Sequence, residues 1–252
     1  MYPRLPVVDS PGAVAGRSKA LGGRGGAGVE DLPGWAISPG ACAGRAMLQG
    51  PAFAMLGLVA PAEVSGVEVL AGVTPPVLFV ANHTSHLDSP TLLRAMPSVW
   101  RRRVAVVAAA DYFFSKPWLG ASVTLLMNTF PFSRSASPTS VRRSLAHCAW
   151  LLDRGWSLLL YPEGTRSCTG EMAEFKSGVG LLAVRLGVPV VPVYMEGLHK
   201  VLPKGQKVPR PGRVQVSFGN ALSFEPETPY DLATQAIEGA VRALGEGSGV
   251  GD

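Results

Sequence analysis

Short apolar runs alternate with helical patterns along most of this 252-residue chain. The runs are rich in Val, Leu and Phe, as buried strands are, and the segments between them space apolar residues as helices do. Such alternation favours an α/β fold. With 47% of its residues apolar, the chain can bury one sizeable core, so we predict a single domain with a mixed, largely parallel sheet flanked by helices. The predicted strands are 76–81, 103–110, 128–134, 156–164, 188–197 and 213–219, and the predicted helices are 89–96, 140–155, 177–187 and 229–244.

The two ends of the chain differ in composition from this middle part. Residues 1–40 are rich in Gly, Pro, Ala and Arg, and 245–252 read GEGSGVGD. Neither stretch has enough apolar residues to offset the entropy lost on ordering. We therefore predict disordered tails at 1–40 and 245–252 around a folded domain at 41–244.

Prolines interrupt two of the apolar stretches. Residues 46–61 contain Pro51, and the stretch is interpreted as a helical hairpin, a core segment or an interfacial patch. In the run 188–197, Pro189 and Pro192 are expected to limit regular pairing on one side. No run reaches about 18 consecutive apolar residues, so the sequence predicts no membrane-spanning helix.

Charge and cysteine content restrict the function. The formal net charge of +5 favours acidic partners such as phosphorylated substrates or anionic lipid. The basic residues form no long block, so a nucleic-acid partner is not predicted. The three cysteines lack CxxC spacing, which favours neither a zinc cage nor a disulfide framework and suits a reducing, cytoplasmic compartment.

A polar motif, NHTSHLD, follows the first predicted strand. His83 comes directly after the strand and Asp88 begins the next helix, at an edge where α/β sheets bind ligands. The carboxylate could fix the tautomer of the imidazole and leave its other nitrogen as a general base. Two alternatives remain at this point. Asp88 could only cap the helix, or His83, His86 and Asp88 could bind a metal, for which only His147 and His199 remain as further histidine ligands.

A second motif, LYPEGTRS at 160–167, follows another predicted strand. Gly164 would let the backbone approach an anion, and Arg166 could bind a phosphate with two parallel hydrogen bonds. Thr165 and Ser167 could add hydroxyl donors. The alternative is a solvated turn with an ion pair between Glu163 and Arg166. The chain has no G-x-S-x-G motif, which disfavours a serine hydrolase.

Four blocks occur in a fixed order: N-H-x-x-x-x-D, an extended segment ending at Arg134, P-E-G-T-R-S, and V-P-V-V-P-V. In this order they resemble the glycerolipid acyltransferase family, which contains the 1-acylglycerol-3-phosphate acyltransferases. The resemblance covers about residues 63–224. The second block departs from it, because the family usually opens this block with Gly and this chain has Asn128.

The resemblance implies an activity and a role for each motif residue. His83 would deprotonate an acceptor hydroxyl as it attacks an acyl thioester, and Asp88 would orient His83. The acceptor would be lysophosphatidic acid, the product phosphatidic acid, and the donor acyl-CoA or acyl-carrier protein, with no metal and no other cofactor. Alternatives are another lysophospholipid or polar lipid hydroxyl as acceptor, or a silent lipid-binding relative. The residues expected to shape the acceptor site, with the arginines on its phosphate, are Arg134, Glu163, Gly164, Thr165 and Arg166.

Lipid substrates imply contact with a membrane. We predict a peripheral or monotopic protein on the cytoplasmic side of the cell membrane. Two segments have the aromatic and basic residues typical of an interface, WRRR at 100–103 and DYFFSKPWLG at 111–120, and 46–61 could add apolar area. The alternative is that the aromatic residues belong to the core and the arginines to a solvated turn.

Overall fold

Seven strands form one sheet in the computed structural model, which describes residues 34–109, 124–132 and 137–247. The strands are β1 (Ala62–Ser65), β2 (Leu78–Ala81), β3 (Val104–Ala109), β4 (Thr129–Phe132), β5 (Ser157–Leu160), β6 (Val190–Glu196) and β7 (Val214–Phe218). Their order across the sheet is β1-β7-β6-β2-β5-β3-β4. All neighbours are parallel except β6 and β7, which are antiparallel. The mixed, largely parallel sheet is therefore confirmed.

Helices pack on both faces of this sheet. The helices are α1 (Pro39–Val59), α2 (Asp88–Ala95), α3 (Ser98–Arg101), α4 (Pro138–Leu152), α5 (Gly178–Leu186), α6 (Leu198–Val201) and α7 (Tyr230–Glu246). Strand β2 shows the two layers clearly. Leu78 and Val80 pack in a cluster with α4, α5 and α7, whereas Phe79 and Ala81 pack in a cluster with α1, α2 and α3. Because β2 is the central strand and is buried on both faces, the residues that follow it emerge at the middle of the sheet's carboxyl edge.

The expected limit on pairing of the 188–197 run is confirmed on one side of β6, where the ladder with β7 stops at Pro192. Strand β6 pairs with β2 through Val190–Val193 and with β7 through Val193–Glu196. Pro192 is tolerated because it lies where the antiparallel ladder ends. The backbone N–H of Gly219 donates to the Pro192 carbonyl oxygen over 2.9 Å, and this link does not use the N–H that proline lacks.

Residues 46–61 do not form a hairpin, because most of them lie in the single helix α1, with Pro51 inside it. The polar side chains of this helix point inward. Arg45 Nε donates to the Leu125 carbonyl oxygen over 2.9 Å, and Gln49 Nε2 donates to the Leu126 carbonyl oxygen over 2.9 Å. The large exposed side chains are all apolar. They are Met47, Leu48, Met55 and Leu58, between 50% and 83% exposed.

The start of the folded part differs from the predicted boundary at residue 41. A short 3₁₀ helix spans Gly34–Ile37, and Ala36 within it is fully buried. The carbonyl oxygen of Ala36 accepts a hydrogen bond of 2.8 Å from Arg45 Nη2, so the buried arginine ties this turn to α1. At the other end, α7 continues to Glu246, beyond the predicted limit at 244. The prediction of disorder for 1–33 and 248–252 lies outside the described residues.

Of the two segments expected at a membrane interface, only the first lies in the described part of the chain. Trp100 is 4% exposed and packs edge-on against Phe79, with ring centroids 5.8 Å apart, so its interfacial assignment is wrong. Arg102 and Arg103 are exposed. The segment 111–120 lies outside the described residues. None of the helices in the three described ranges is both long and apolar enough to cross a bilayer.

Candidate active site

The two polar motifs meet at the carboxyl ends of neighbouring strands. His83 follows β2 and Glu163 follows β5, and these strands are parallel partners in the centre of the sheet. Parallel strands end at the same edge, so the two motifs emerge side by side. The site is therefore assembled from segments about 80 residues apart in the chain.

Asn82 holds the start of the first loop against β6. Its Nδ2 donates to the Met195 carbonyl oxygen over 2.8 Å, and its Oδ1 accepts from the Met195 backbone N–H over 2.7 Å. The backbone pairing of β2 with β6 ends one residue earlier, at Ala81. The buried side-chain amide of Asn82 thus makes the next pair of hydrogen bonds to β6 after the backbone pairing has ended. The sequence did not indicate this role for Asn82.

The structure brings His83 and Asp88 into contact. His83 Nδ1 lies 2.7 Å from Asp88 Oδ2, and the same oxygen accepts the backbone N–H groups of Thr84 (2.6 Å) and Ser85 (2.9 Å). Asp88 is fully buried, whereas the His83 side chain is 21% exposed. A carboxylate oxygen surrounded by donors is an acceptor, so the imidazole proton lies on Nδ1 and the lone pair on Nε2.

The capping alternative for Asp88 does not describe this geometry. Leu87 is the N-cap residue of α2, and Asp88 lies in the first turn of the helix. Its carboxylate points back into the loop toward His83, Thr84 and Ser85 instead of toward the helix.

Glu163 holds the backbone of His83. Its Oε1 accepts the His83 backbone N–H over 2.6 Å, and its Oε2 accepts the Ala173 backbone N–H over 2.9 Å. Burial raises the pKa of Glu163, while these two hydrogen bonds act in the opposite direction. Both carboxylate oxygens are therefore engaged by backbone groups, a role that the sequence did not indicate, and the part of Glu163 in shaping the acceptor site stays a prediction.

The second motif also holds the other side of the His83 peptide. The backbone N–H of Ser167 donates to the His83 carbonyl oxygen over 2.8 Å. Gly164 makes the intervening turn with φ of 73°, and a Cβ there would lie 2.6 Å from Lys176 Nζ. The turn therefore depends on a residue without a side chain.

We expect Glu163→Gln to loosen the His83 loop. A carboxamide has one acceptor oxygen, and its NH₂ group would face one of the two backbone donors. We expect a loss of about 1–3 kcal/mol in the free energy of unfolding, together with lower turnover. Chemical denaturation and a turnover assay measure the two effects. The matched control is Glu171→Gln, since Glu171 is exposed on the same loop. Equal stability of the two variants would contradict this role.

Cationic side chains lie around the rim of the site. Lys204 Nζ donates to Thr165 Oγ1 over 3.2 Å and to the Arg166 carbonyl oxygen over 3.1 Å. The pKa of His86 is lowered, first by partial burial and then by the positive charge of Arg166 and the proximity of His83. Arg166 is thus electrostatically coupled to His86 of the first motif. Sequence reasoning did not identify Lys204, which lies in an exposed loop without a motif.

Arg134 lies outside the described residues, so its predicted place at the site stays a prediction. Strand β4, which ends at Phe132, runs parallel to β3 at the outer edge of the sheet. Asn128, just before β4, has φ of 52°, and its Nδ2 donates to the Val104 carbonyl oxygen over 2.9 Å. Asn tolerates this left-handed conformation better than most residues, which explains how it can replace Gly at the start of this block.

Tyr161 is a further site residue that sequence reasoning missed. Its ring stacks on the His83 ring with centroids 4.2 Å apart and an interplanar angle of 19°. Its hydroxyl oxygen lies 2.9 Å from Ser89 Oγ. An aromatic residue at the end of a strand is common, and nothing in the sequence indicates that it faces an imidazole 78 positions earlier.

The chain resembles known proteins in sequence and in structure. The acyltransferase family profile matches residues 62–196. Among curated relatives, a chloroplastic 1-acyl-sn-glycerol-3-phosphate acyltransferase of Brassica napus is 33% identical over 145 residues, covering 58% of this chain and 40% of that protein. The Pseudomonas aeruginosa enzyme of the same name is 32% identical over 117 residues, covering 46% and 45%. The chain thus spans less than half the length of these two relatives.

A solved structure shares the fold. It is the 1-acyl-sn-glycerophosphate acyltransferase PlsC of Thermotoga maritima, with a TM-score of 0.59 and 24% sequence identity, covering 81% of this chain and 79% of that chain. At this level of identity the likeness concerns the fold alone.

Proposed function

The chain belongs to the acyltransferase family, and we propose that it transfers a fatty acyl group from an acyl thioester to the free hydroxyl of lysophosphatidic acid, giving phosphatidic acid for phospholipid biosynthesis. The observation that carries this proposal is the 2.7 Å contact between His83 Nδ1 and Asp88 Oδ2, which leaves Nε2 as a base. The names of the curated relatives support the choice of acceptor.

The proposed reaction is a direct transfer. His83 Nε2 removes the acceptor's hydroxyl proton as the oxygen attacks the thioester carbonyl carbon. The tetrahedral intermediate collapses, the C–S bond breaks, and the thiolate takes the proton from the imidazolium. Asp88 stabilises the imidazolium between these steps. The thioester is already an activated acyl donor, so we propose that acyl-CoA or acyl-carrier protein acts as co-substrate and that no metal or further cofactor takes part.

The acceptor's phosphate would bind beside the 164–166 turn. We propose that Arg166 pairs with it, with Arg134 as the second cation, and that Gly164 and Thr165 complete the contact. Lys204 adds charge at the same rim, through its contacts with Thr165 and Arg166. A phosphomonoester carries about −1.5 to −2 charges at neutral pH, which these cations would balance.

An acceptor panel tests the proposal. Lysophosphatidic acid, a lysophospholipid with an esterified phosphate, glycerol 3-phosphate and monoacylglycerol are each offered with acyl-CoA, and thiol release is followed. We expect lysophosphatidic acid to be used best and monoacylglycerol poorly, because the latter lacks the phosphate. Preference for another acceptor would support the alternative substrate class, and absence of transfer to any acceptor would support a silent lipid-binding protein.

We expect Arg166→Lys to raise the KM for lysophosphatidic acid about 10-fold or more, since lysine cannot form the two parallel hydrogen bonds of a guanidinium. The KM for acyl-CoA should change little. The control is Arg185→Lys, because Arg185 is exposed on α5. A rise confined to the KM for acyl-CoA would mean that Arg166 binds the donor instead.

We further propose that the protein is peripheral or monotopic on the cytoplasmic face of the cell membrane, with α1 as its contact. At about 100° per residue, Met47, Leu48, Met55 and Leu58 fall within roughly 100° of arc, opposite the inward-facing Gln49. A helix with apolar side chains outside and polar ones inside is suited to lipid. Arg101 lies beside it, with its guanidinium 5.7 Å from the Phe53 ring centroid.

Vesicle co-sedimentation tests this contact. We expect binding to vesicles containing phosphatidylglycerol, weaker binding to pure phosphatidylcholine, and a further loss at high salt. The double variant Met55→Ser/Leu58→Ser should bind less, whereas Leu232→Ser, at an exposed position of α7, should not. If the double variant bound the vesicles as well as the wild type, a surface other than α1 would contact the membrane.

A further inference from the structure

We infer that Tyr161 is a positioning residue for the ring of His83; the inference rests on the proposed function and adds a residue to it. The two rings are stacked, with centroids 4.2 Å apart and planes 19° from parallel. The tyrosine hydroxyl and Ser89 Oγ are 2.9 Å apart.

The contact with Asp88 does not restrict every motion of the imidazole ring. A single hydrogen bond at Nδ1 fixes one edge of the ring, but the ring can still tilt about that bond. A flat aromatic face against one side of the imidazole removes this tilt. Nε2 then points in one direction, along the ring plane and away from Asp88, and a base acts efficiently only when it lies in line with the proton it removes.

Tyr161 is itself held at its backbone and at its hydroxyl. The backbone carbonyl oxygen of Tyr161 accepts the Gly164 N–H over 3.1 Å, within the second motif. Its hydroxyl reaches Ser89 in the first turn of α2, next to Asp88. The start of α2 therefore holds the imidazole twice, through Asp88 at the ring edge and through Ser89 and Tyr161 at the ring face.

The chemistry of tyrosine suits this place. The imidazole becomes a cation during transfer, and an aromatic face attracts a cation. Burial raises the pKa of the Tyr161 hydroxyl, and the Asp88 carboxylate raises it further. The hydroxyl therefore stays neutral and adds no second negative charge beside Asp88.

The alternative is that Tyr161 only fills space, since it also packs against the apolar cluster on the α2 side of the sheet. Three variants separate the two roles. Tyr161→Leu removes the ring, Tyr161→Phe keeps it, and Ser89→Ala removes only the hydroxyl partner. The packing control is Phe218→Leu, because Phe218 is a buried aromatic residue of the same cluster, two strands from β2.

We expect Tyr161→Leu to lower kcat about 10- to 100-fold, with the KM of both substrates within about twofold. Tyr161→Phe should recover most of the lost kcat, and Ser89→Ala should match Tyr161→Phe. Phe218→Leu should lower thermal stability as much as Tyr161→Leu while leaving kcat unchanged. Proton NMR gives a second readout, the downfield Nδ1–H resonance of His83, which should be sharp in the wild type and the Phe variant and broadened or shifted in the Leu variant.

A Tyr161→Leu variant that keeps wild-type kcat and the same His83 resonance would overturn the inference, and so would a Phe variant as impaired as the Leu variant. Kinetics are measured with whichever acceptor the wild type uses. If the wild type transfers no acyl group, the proposed function fails, and the resonance of His83 alone decides whether Tyr161 positions the ring.

Discussion

His83→Ala is expected to lower the rate of acyl transfer by about 10²–10⁴, the usual range for loss of a general base. The imidazole is the group whose free Nε2 would remove the acceptor's proton, and alanine cannot replace it. Stability should change little, because the side chain is partly exposed. Thiol release from acyl-CoA measures the rate, and a thermal melt checks the fold.

His86→Ala is the matched control for this experiment. His86 lies three residues further along the same loop, and it is the more exposed of the two histidines. We expect it to retain most of the activity. A folded His83→Ala protein with more than about a tenth of wild-type turnover, or a His86→Ala protein that is the more impaired of the two, would show that the base is assigned to the wrong residue.

Asp88→Asn is expected to lower both activity and stability. The amide would offer NH₂ or a single oxygen where one carboxylate oxygen now accepts three donors, and it would favour the wrong tautomer of His83. A corresponding change in a Ser-His-Asp triad lowers kcat by about 10⁴. We expect a loss of about 10³–10⁴ in turnover and of about 1–3 kcal/mol in the free energy of unfolding.

The control for this variant is Asp231→Asn. Asp231 also lies in the first turn of a helix, α7, but it is exposed. Turnover and chemical denaturation are measured for both proteins. If Asp88→Asn were as stable and active as Asp231→Asn, the buried carboxylate would have no special role.

The sequence was sufficient to predict six of the seven strands, all but β1, and the contact between His83 and Asp88, because both follow from local patterns. The apolar run of β2 is short and fully buried, and only four residues lie between His83 and Asp88. The partners of Glu163 could not be predicted in the same way. Its carboxylate binds the backbone N–H of residue 83. Every residue except proline has such an N–H, so the sequence does not show which one is bound.

The hairpin alternative for residues 46–61 was wrong for a different physical reason. Hydropathy reports how many apolar residues a stretch contains but not the direction in which they point. Pro51 suggested a break, whereas the helix continues through it. Arg45 and Gln49 are buried anchors of the helix, as is Phe53, whereas the exposed large side chains are the apolar Met47, Leu48, Met55 and Leu58.

The hydrogen bonds that hold the His83 peptide have a consequence for the order of folding. Closing the four-residue loop between His83 and Asp88 costs little chain entropy, so this contact can form early and locally. The bonds from Glu163 and Ser167 span about 80 residues and require β2 and β5 to be paired first. The histidine and its carboxylate can therefore meet in a chain that is still incomplete, whereas a correctly placed base appears only after the long-range contacts have formed.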